Sequence, residues 1–477
     1  MRSPNHLPNV IIGVGIFLIV LAGLIIGTDD GNWGLRLVIL IPALGVLFLS
    51  IRRRELFPYV YLFLLGMEDL NPGWGGTGVF TIPKVGAGIL LLAYLMTYHK
   101  DLRLRSYAVF LPALFLSIYF ILSSLWSLDP QNAYVRSISF VLLLISFWLI
   151  AHYSQSQDDL RHVLGAFVLF SLITSIIAIF EFSRSYIGGP LLVEIRANSL
   201  LGNPNGSAYY ISFGGIILFV QSLRRLSGWK WLPKITPLFA LAICVIGLLA
   251  TGSRSGLLAF IVGCAIVLLF SLRNMVFGKG FAILVLLFLV VNVLNSSLPL
   301  LDNIQLRTFG YYETGHNITA KRDRIWRTGW SLFLARPVLG YGLESHGIIL
   351  IPTGYPNEDA SATHNTLLWA LLEGGITGVV LLLMLLVVTG VALIKRVKEK
   401  KTKYSFYSRS CYLALLSIFA SSFVFGGLND IQFNKFFWLI IALAGTTVGA
   451  DEPVTLIIKA KTKQFSSMFS RRLDKSV

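Results

Sequence analysis

Long uncharged apolar segments constrain this chain more than any other feature of its sequence. Residues 7–27, 107–126 and 281–295 contain no charged side chain. A segment of about 20 apolar residues spans the hydrocarbon core of a bilayer. Only helices or closed barrels can span it with every backbone polar group satisfied, and these segments lack the alternation typical of strands. The sequence therefore predicts an all-α, polytopic integral membrane protein.

The charged residues agree with this class. They make up 13% of the 477 residues, about half of the roughly 25% found in soluble domains. The net charge of +17 could indicate nucleic-acid binding. However, most Lys and Arg residues lie in short connections between apolar segments, where they typically mark the cytoplasmic side of a membrane protein. We therefore expect no nucleic-acid partner.

The hydropathy pattern predicts about 14 transmembrane helices, within a range of about 12–14. The candidate spans are residues 8–28, 35–51, 56–68, 83–98, 107–126, 135–153, 163–182, 205–222, 235–251, 256–272, 281–297, 364–394, 410–428 and 434–450. Of the 40 Lys and Arg residues, this threading places 27 on one side and 13 on the other. The basic side is expected to be cytoplasmic, and both termini lie there.

One connection on the outer side, residues 298–363, is much longer than the others. We predict that it is periplasmic or extracellular and contains a helix near residues 320–334. Five of the 13 outer basic residues lie between Lys321 and Arg336. Long connections are uncommon in compact domains unless they have a function.

Three groups of outer residues break the usual rules of membrane sequences. Arg254 lies in a tight connection, 251–256, between two apolar spans; it either anchors the span end in the interface or binds an anion such as phosphate. Arg322 and Trp326 share a helix face, which suits either lipid headgroups or a pyrophosphate. His364 begins the twelfth span beside Asn365 and is either structural or a base. Scattered carboxylates and the lack of HxH, HExxH or DxD spacing argue against a metal site.

Four stretches in order resemble the O-antigen ligase and O-antigen polymerase superfamily of bacterial glycosyltransferases. They are Gly202-Asn203-Pro204-Asn205 with Ala208; Ser253-Arg254-Ser255-Gly256; Arg322-x-x-x-Trp326 continuing to Pro337 and Gly340-x-Gly342; and His364-Asn365, nine residues, then Gly375-x-x-Gly378. The resemblance covers about residues 190–390. It implies a GT-C-like fold with N-terminal helices in 1–190, a catalytic region in 191–394 and C-terminal helices with a basic tail in 395–477.

The resemblance also implies the substrates and the site. Arg254 and Arg322, with Arg196 as a weaker candidate, would bind the diphosphate of an undecaprenyl-linked glycan donor, and His364 would activate the acceptor. The supporting residues would be Asn365, Trp326, Asn203, Asn205, Gly375 and Gly378. No cofactor or metal is implied. The expected partners are the donor, a glycan or lipid A-core acceptor, membrane lipids and other polysaccharide export or assembly proteins.

The resemblance places the protein in the bacterial inner membrane, with an inverting, metal-independent transfer on its outer face. The motifs do not separate a ligase from a polymerase. Two other classes stay open. One is a transporter of a small anion such as bicarbonate, although charges in the spans are few, chiefly Glu181 and Glu373. The other is a scaffold in an envelope complex, which would leave the outer arginines without a role.

Overall fold

A computed structural model of the protein describes residues 53–66, 88, 91, 94, 107–186, 195–199, 203–224, 236–270, 276–295, 297–305, 322–350, 363–398, 406–427 and 434–446. In these ranges every regular element is helical, which confirms the all-α prediction. The α-helices are α1 (Phe57–Gly66), α2 (Tyr107–Ser123), α3 (Pro130–Tyr153), α4 (Gln157–Ser185), α5 (Pro204–Arg224), α6 (Thr236–Ala250), α7 (Arg254–Leu269), α8 (Val276–Asn295), α9 (Leu300–Gln305), α10 (Arg322–Ala335), α11 (His346–Ile349), α12 (Thr366–Lys398), α13 (Phe406–Gly426) and α14 (Lys435–Gly445).

In the part of the chain that the structure describes, six helical segments are long and apolar enough to cross a membrane: Ala108–Trp126, Pro130–Tyr153, Gln157–Ser185, Pro204–Leu223, Thr366–Lys398 and Arg409–Gly426. Shorter apolar helices occupy four further predicted spans, at Thr236–Ala250, Arg254–Leu269, Gly280–Asn295 and Lys435–Gly445. The predicted spans 8–28 and 35–51, and nearly all of 83–98, lie outside the described residues. The protein is therefore a helical membrane protein, and the total of about 14 spans stays a prediction.

Local capping sets where the helices begin. The fourth helix starts six residues before the predicted span 163–182, because Ser156 and Asp159 form a reciprocal capping box. The Ser156 hydroxyl accepts from the Asp159 amide at 3.1 Å, and the Asp159 carboxylate accepts from the Ser156 amide at 3.0 Å. Such caps satisfy amides that have no partner within the helix. Hydropathy therefore located the apolar part of α4 but not its polar first turn.

The helices form two packed groups that share α13. In one group α5 packs against α4, α6, α7 and α13, and in the other α2, α3, α12 and α14 pack together. Small residues allow close approach in the first group: Gly247 faces Ser175 and Gly256 faces Ala208, with no room for a Cβ at either glycine. Close backbone contact through small residues is the usual basis of helix packing in membranes.

Several helix ends meet at one end of this bundle. The Tyr209 hydroxyl, near the start of α5, donates to Ser422 Oγ near the end of α13 at 2.8 Å. The side-chain amide of Asn365, just before α12, donates to the carbonyl of Gly427, just after α13, at 3.3 Å. The starts of α5 and α12 are thus joined through α13, and the start of α7 packs beside α5.

Candidate functional site

The first group of candidate residues is an arginine–asparagine cluster, formed by Arg196, Asn203, Asn205, Ser253 and Arg254. Asn205 lies at its centre, where its Oδ1 accepts from Arg196 Nη2 at 3.4 Å and from Ser253 Oγ at 2.9 Å. Asn203 caps α5 by accepting from the amides of Asn205 and Gly206 at 2.9 and 3.3 Å. The structure therefore brings together two motifs that are about 50 residues apart in the sequence.

Arg254 is the first residue of α7 and is half-buried. Ser253 caps this helix, accepting from the Gly256 amide at 3.3 Å, and is itself buried. The start of a helix carries partial positive charge from its unpaired amides, so a guanidinium there adds to a local preference for anions. This arrangement is compatible with the phosphate-binding role expected of Arg254.

The loop that carries Arg196 is fixed by contacts that the sequence did not indicate. Glu181 on α4 accepts from the Ser199 amide at 2.8 Å. Asn303 on α9 is fully buried and pairs with the backbone of Ile195 in both directions, at 3.0 and 2.8 Å. The Glu181 carboxylate, in an apolar span, and the Asn303 amide, in the long connection 298–363, thus hold the backbone on either side of Arg196. The unusual position of Glu181 was the one available sequence signal for this.

The second group is a histidine cluster, formed by Trp326, Thr363, His364 and Asn365. Trp326 Nε1 donates to the Thr363 carbonyl at 3.2 Å, which joins α10 to the residue before His364. Asn365 caps α12, accepting from the amides of Leu367 and Leu368 at 2.9 and 3.0 Å. His364 is half-buried and has a φ of 49°. Left-handed backbone is uncommon for a residue other than glycine, and such conformations concentrate at functional sites.

Arg322 reaches this cluster through its helix. The helix predicted near 320–334 is confirmed as α10, with Arg322 at its start. On the buried side of α10, Ile325 and Phe333 pack in one apolar cluster with Leu368 and Leu372 of α12. Trp326 lies one turn after Arg322, so Arg322 and His364 lie at neighbouring ends of two packed helices.

The Gly375-x-x-Gly378 motif interrupts α12. Gly375 has φ 59° and ψ −159°, a conformation that favours glycine. The backbone groups released by the break pair with the segment after α10: Tyr341 N with Leu372 O at 2.8 Å, Gly342 N with Glu373 O at 3.0 Å, and Ile376 N with Pro337 O at 2.8 Å. We call this pairing the α12 junction. The contacts of the junction are between backbone groups of the protein. They account for the glycines of the motif without requiring that these glycines contact a substrate.

Glycine is also needed on the other side of the junction. Gly340 has φ 67°, and a Cβ there would lie 2.6 Å from the amide nitrogen of Gly375. Gly378 packs against Phe120, whose ring would lie 3.1 Å from an added Cβ. Gly340 and Gly375, one glycine from each motif, are therefore adjacent in space.

A histidine–carboxylate pair lies beside the junction and was missed by sequence reasoning. His346 Nδ1 contacts Glu373 Oε1, and the Glu373 side chain is fully buried. Next to it, Arg136 Nε bonds Glu344 Oε1 at 2.5 Å and ties α3 to the same segment. A carboxylate kept inside an apolar span requires a partner, so Glu373 was the signal that could have identified this pair.

Within the described parts of the chain, His, Cys, Asp and Glu side chains form no group of three or more that could hold a metal ion. The expectation of a metal-independent site stays a prediction.

Comparison with known proteins identifies the region that contains these residues. Residues 239–383 match a family model described as O-Antigen ligase (Wzy_C). The match includes Arg254, Arg322, His364 and the α12 junction; Arg196 and the two asparagines precede it. A search of curated proteins finds no match. The match confirms the resemblance to the O-antigen ligase superfamily, and with the apolar helices it supports a membrane enzyme that ligates or polymerises glycans.

Proposed function

We propose that this chain, which carries an O-antigen ligase domain at residues 239–383, transfers an oligosaccharide from undecaprenyl diphosphate to a hydroxyl group of its acceptor. The acceptor is the lipid A core in a ligase or a second lipid-linked glycan in a polymerase. The catalytic region is 191–394, at the outer face of the bacterial inner membrane. One observation above all supports this proposal. Trp326, on the same helix as Arg322, donates a hydrogen bond to Thr363, the residue before His364, within the matched domain.

In this proposal the arginines bind the lipid-linked diphosphate. Arg254 and Arg322 are the main residues, and Arg196 assists from the other end of the arginine–asparagine cluster. A guanidinium can donate two parallel hydrogen bonds to phosphate oxygens. Negative charge on the diphosphate grows as it leaves, so fixed cations stabilise the transition state more than the bound donor, which is the requirement for catalysis.

His364 acts as the general base. The acceptor oxygen attacks the anomeric carbon, the bond from that carbon to the phosphate oxygen breaks, and its electron pair stays on the diphosphate. The acceptor's proton moves to the imidazole of His364, because histidine is the side chain best suited to accept a proton near neutral pH. A single displacement inverts the anomeric centre. The donor is already activated, so the reaction requires no nucleotide, and in this proposal the arginines take the place of a metal ion on the leaving diphosphate.

The supporting residues act through position. Trp326 and Asn365 fix the backbone on either side of His364, while Asn203 and Asn205 hold the start of α5 beside Arg196. Gly375 permits the α12 junction, and Gly378 permits the close packing of α12 against Phe120. Their effect on transfer is therefore indirect.

The proposed topology has both termini in the cytoplasm, about 14 spans and residues 298–363 outside. An impermeant thiol reagent tests it. A cysteine at Ser361 should be labelled in intact spheroplasts, and a matched cysteine at Ser466 should be labelled only after lysis. The reverse pattern would invert the topology. Membrane lipids and other proteins of polysaccharide export or assembly are the proposed partners.

Lipid and polysaccharide composition of a deletion strain tests the function. Accumulation of single lipid-linked repeat units would identify a polymerase, whereas full-length polymer left on the lipid carrier would identify a ligase. Complementation by the wild-type chain should restore the product. An unchanged set of lipid-linked glycans in the deletion strain would contradict both versions of the proposal.

A further inference from the structure

Helix α12 is broken at Gly375, and the part after the break is by itself long enough to cross a bilayer. Its residues 376–398 correspond to about 35 Å at 1.5 Å per residue, whereas the hydrocarbon core is about 30 Å thick. Exposed apolar side chains occur along it from Ile376, through Val380, Val387 and Val391, to Ile394, and the basic residues of its last turn follow. The stretch 376–394 spans about 27 Å. Leu367 is the one large apolar side chain of α12 that is exposed before the break, so the continuous lipid-facing surface of this helix begins at Ile376.

The α12 junction places another segment at this same level. The Ile376 amide donates to the Pro337 carbonyl at 2.8 Å, and the Thr377 hydroxyl donates to the Val338 carbonyl at 3.0 Å. Val338 and Leu339 thus lie beside the first lipid-facing residue of α12. Their side chains are 60% and 50% exposed.

The exposed apolar surface continues onto α10. Trp330 and Leu334 lie one turn apart and are 53% and 59% exposed. With Val338 and Leu339 they form a surface that we call the apolar foot. Large apolar side chains clustered on an exposed surface mark a contact with a partner or a membrane.

The other faces of α10 have different neighbours. Ile325 and Phe333 pack in the cluster with α12, whereas Arg327 and Ser331 are exposed. The guanidinium of Arg336, which lies between Leu334 and Val338 in the sequence, is 4.8 Å from the centre of the Tyr341 ring. Basic residues beside exposed Trp and Leu are the pattern of a helix lying in the interface of a membrane.

We propose that the apolar foot is immersed in the outer leaflet and contacts the acyl chains of phospholipids. Two observations select lipid as the occupant: the foot is continuous with the lipid-facing surface of α12, and it lies at that surface's outer limit. The long outer connection is then held by the bilayer as well as by the α12 junction. This inference concerns the membrane contact alone and does not depend on the reaction proposed above.

Nitroxide labelling tests the proposal on the full chain in bilayers of phosphatidylethanolamine and phosphatidylglycerol. The labelled variants are Leu339→Cys and Leu334→Cys, with Ser331→Cys on the polar side of α10 as the matched control. The native cysteines at 244, 264 and 411 are buried, which favours selective labelling of the introduced sites. Collision rates are measured with oxygen, which partitions into lipid, and with a water-soluble nickel chelate.

The ratio of oxygen to nickel collisions should be several-fold higher at positions 339 and 334 than at 331. Equal nickel access at all three positions would show that the foot lies in water and would overturn the proposal. Low access to both reagents at 339 and 334 would show that protein, such as a second copy of this chain, covers the foot, and this would also overturn it. Because two independent sites are labelled, misfolding of one variant leaves the other to decide.

Discussion

The arginine–asparagine cluster and the α12 junction lie toward the same end of the bundle but are held together by different groups. In the cluster, side chains bond side chains, as Asn205 does with Arg196 and Ser253. In the junction, backbone bonds backbone across a helix break at Gly375. A side-chain contact can be removed without moving the chain, whereas a backbone contact depends on the path of two segments. Changes in the cluster should therefore affect activity with little loss of folding, and changes in the junction should affect both.

The largest effect is expected from the arginines. Arg254→Ala and Arg322→Ala should abolish transfer while the folded protein accumulates normally, since both residues are partly exposed. Lysine should restore activity only in part, because it cannot donate in parallel to two phosphate oxygens. Product formation from lipid-linked donor in membranes measures the effect. Arg327→Ala, on the exposed side of α10, is the matched control and should remain near wild type. Near-normal output from both alanine variants at 254 and 322 would refute the diphosphate assignment.

His364→Ala should lower turnover by about 10²–10⁴-fold, the usual contribution of general-base assistance. Donor binding should change little. His364→Gln should not recover the rate, because an amide cannot accept the proton. The acid limb of the pH–rate profile, where the imidazole becomes protonated, should disappear in both variants.

If His364 only orients the acceptor, glutamine would restore much of the activity and the acid limb would persist. A purified assay across pH on the two variants separates these outcomes.

Disruption of the pair of His346 and Glu373, beside the α12 junction, should affect both folding and activity. His346→Ala removes the imidazole that contacts the buried Glu373 side chain. Loss of a hydrogen-bond partner by a buried polar group costs about 1–3 kcal/mol of stability. The thermal midpoint of the purified protein should fall, and transfer should fall with it. The double variant His346→Ala/Glu373→Gln should regain part of the stability, because an uncharged amide is less costly to bury than a carboxyl group that can ionise. A normal midpoint in His346→Ala would show that the pair does not stabilise the junction.

Gly375→Ala tests the helix break directly. Alanine in the conformation of Gly375, φ 59° and ψ −159°, which is essentially restricted to glycine, costs about 1–3 kcal/mol, and its Cβ would also meet the Val338 carbonyl. We expect a lower thermal midpoint together with reduced transfer. Gly390→Ala is the matched control, since this glycine lies in the same helix and its added Cβ would be in ordinary contact, 3.5 Å from the Phe419 ring. Equal behaviour of the two variants would contradict the importance of the junction.

The smallest effect is expected from Asn205→Ala, which removes the acceptor shared by Arg196 and Ser253. Hydrogen bonds of this kind contribute about 0.5–1.5 kcal/mol. Transfer should fall about tenfold or less, chiefly through weaker donor binding, with the thermal midpoint nearly unchanged. A large loss of stability instead would show that this cluster is as structural as the junction, and the contrast between the two regions would fail.

The sequence alone predicted most of the long helices that the structure describes, and it singled out most of the candidate residues. Uncharged runs of about 20 residues predict spans because backbone groups in lipid must bond within their own helix. The basic side chains of Arg254 and Arg322 were conspicuous because the predicted topology places them on the side of the membrane where basic residues are less common. The sequence also predicted helix α10, from the local pattern of residues around Arg322 and Trp326.

The tertiary structure alone decided which residues meet. The pairing of Tyr341 with Leu372, the bonds between Asn303 and Ile195, and the contact of His346 with Glu373 join positions from 27 to 108 residues apart. The first two of these contacts use backbone atoms, which every residue carries. No pattern of side chains in the sequence could therefore predict them. The glycines at 340 and 375 showed that the chain could bend or approach another segment closely. Which segment it would approach depends on how the helices pack, and local sequence does not encode that.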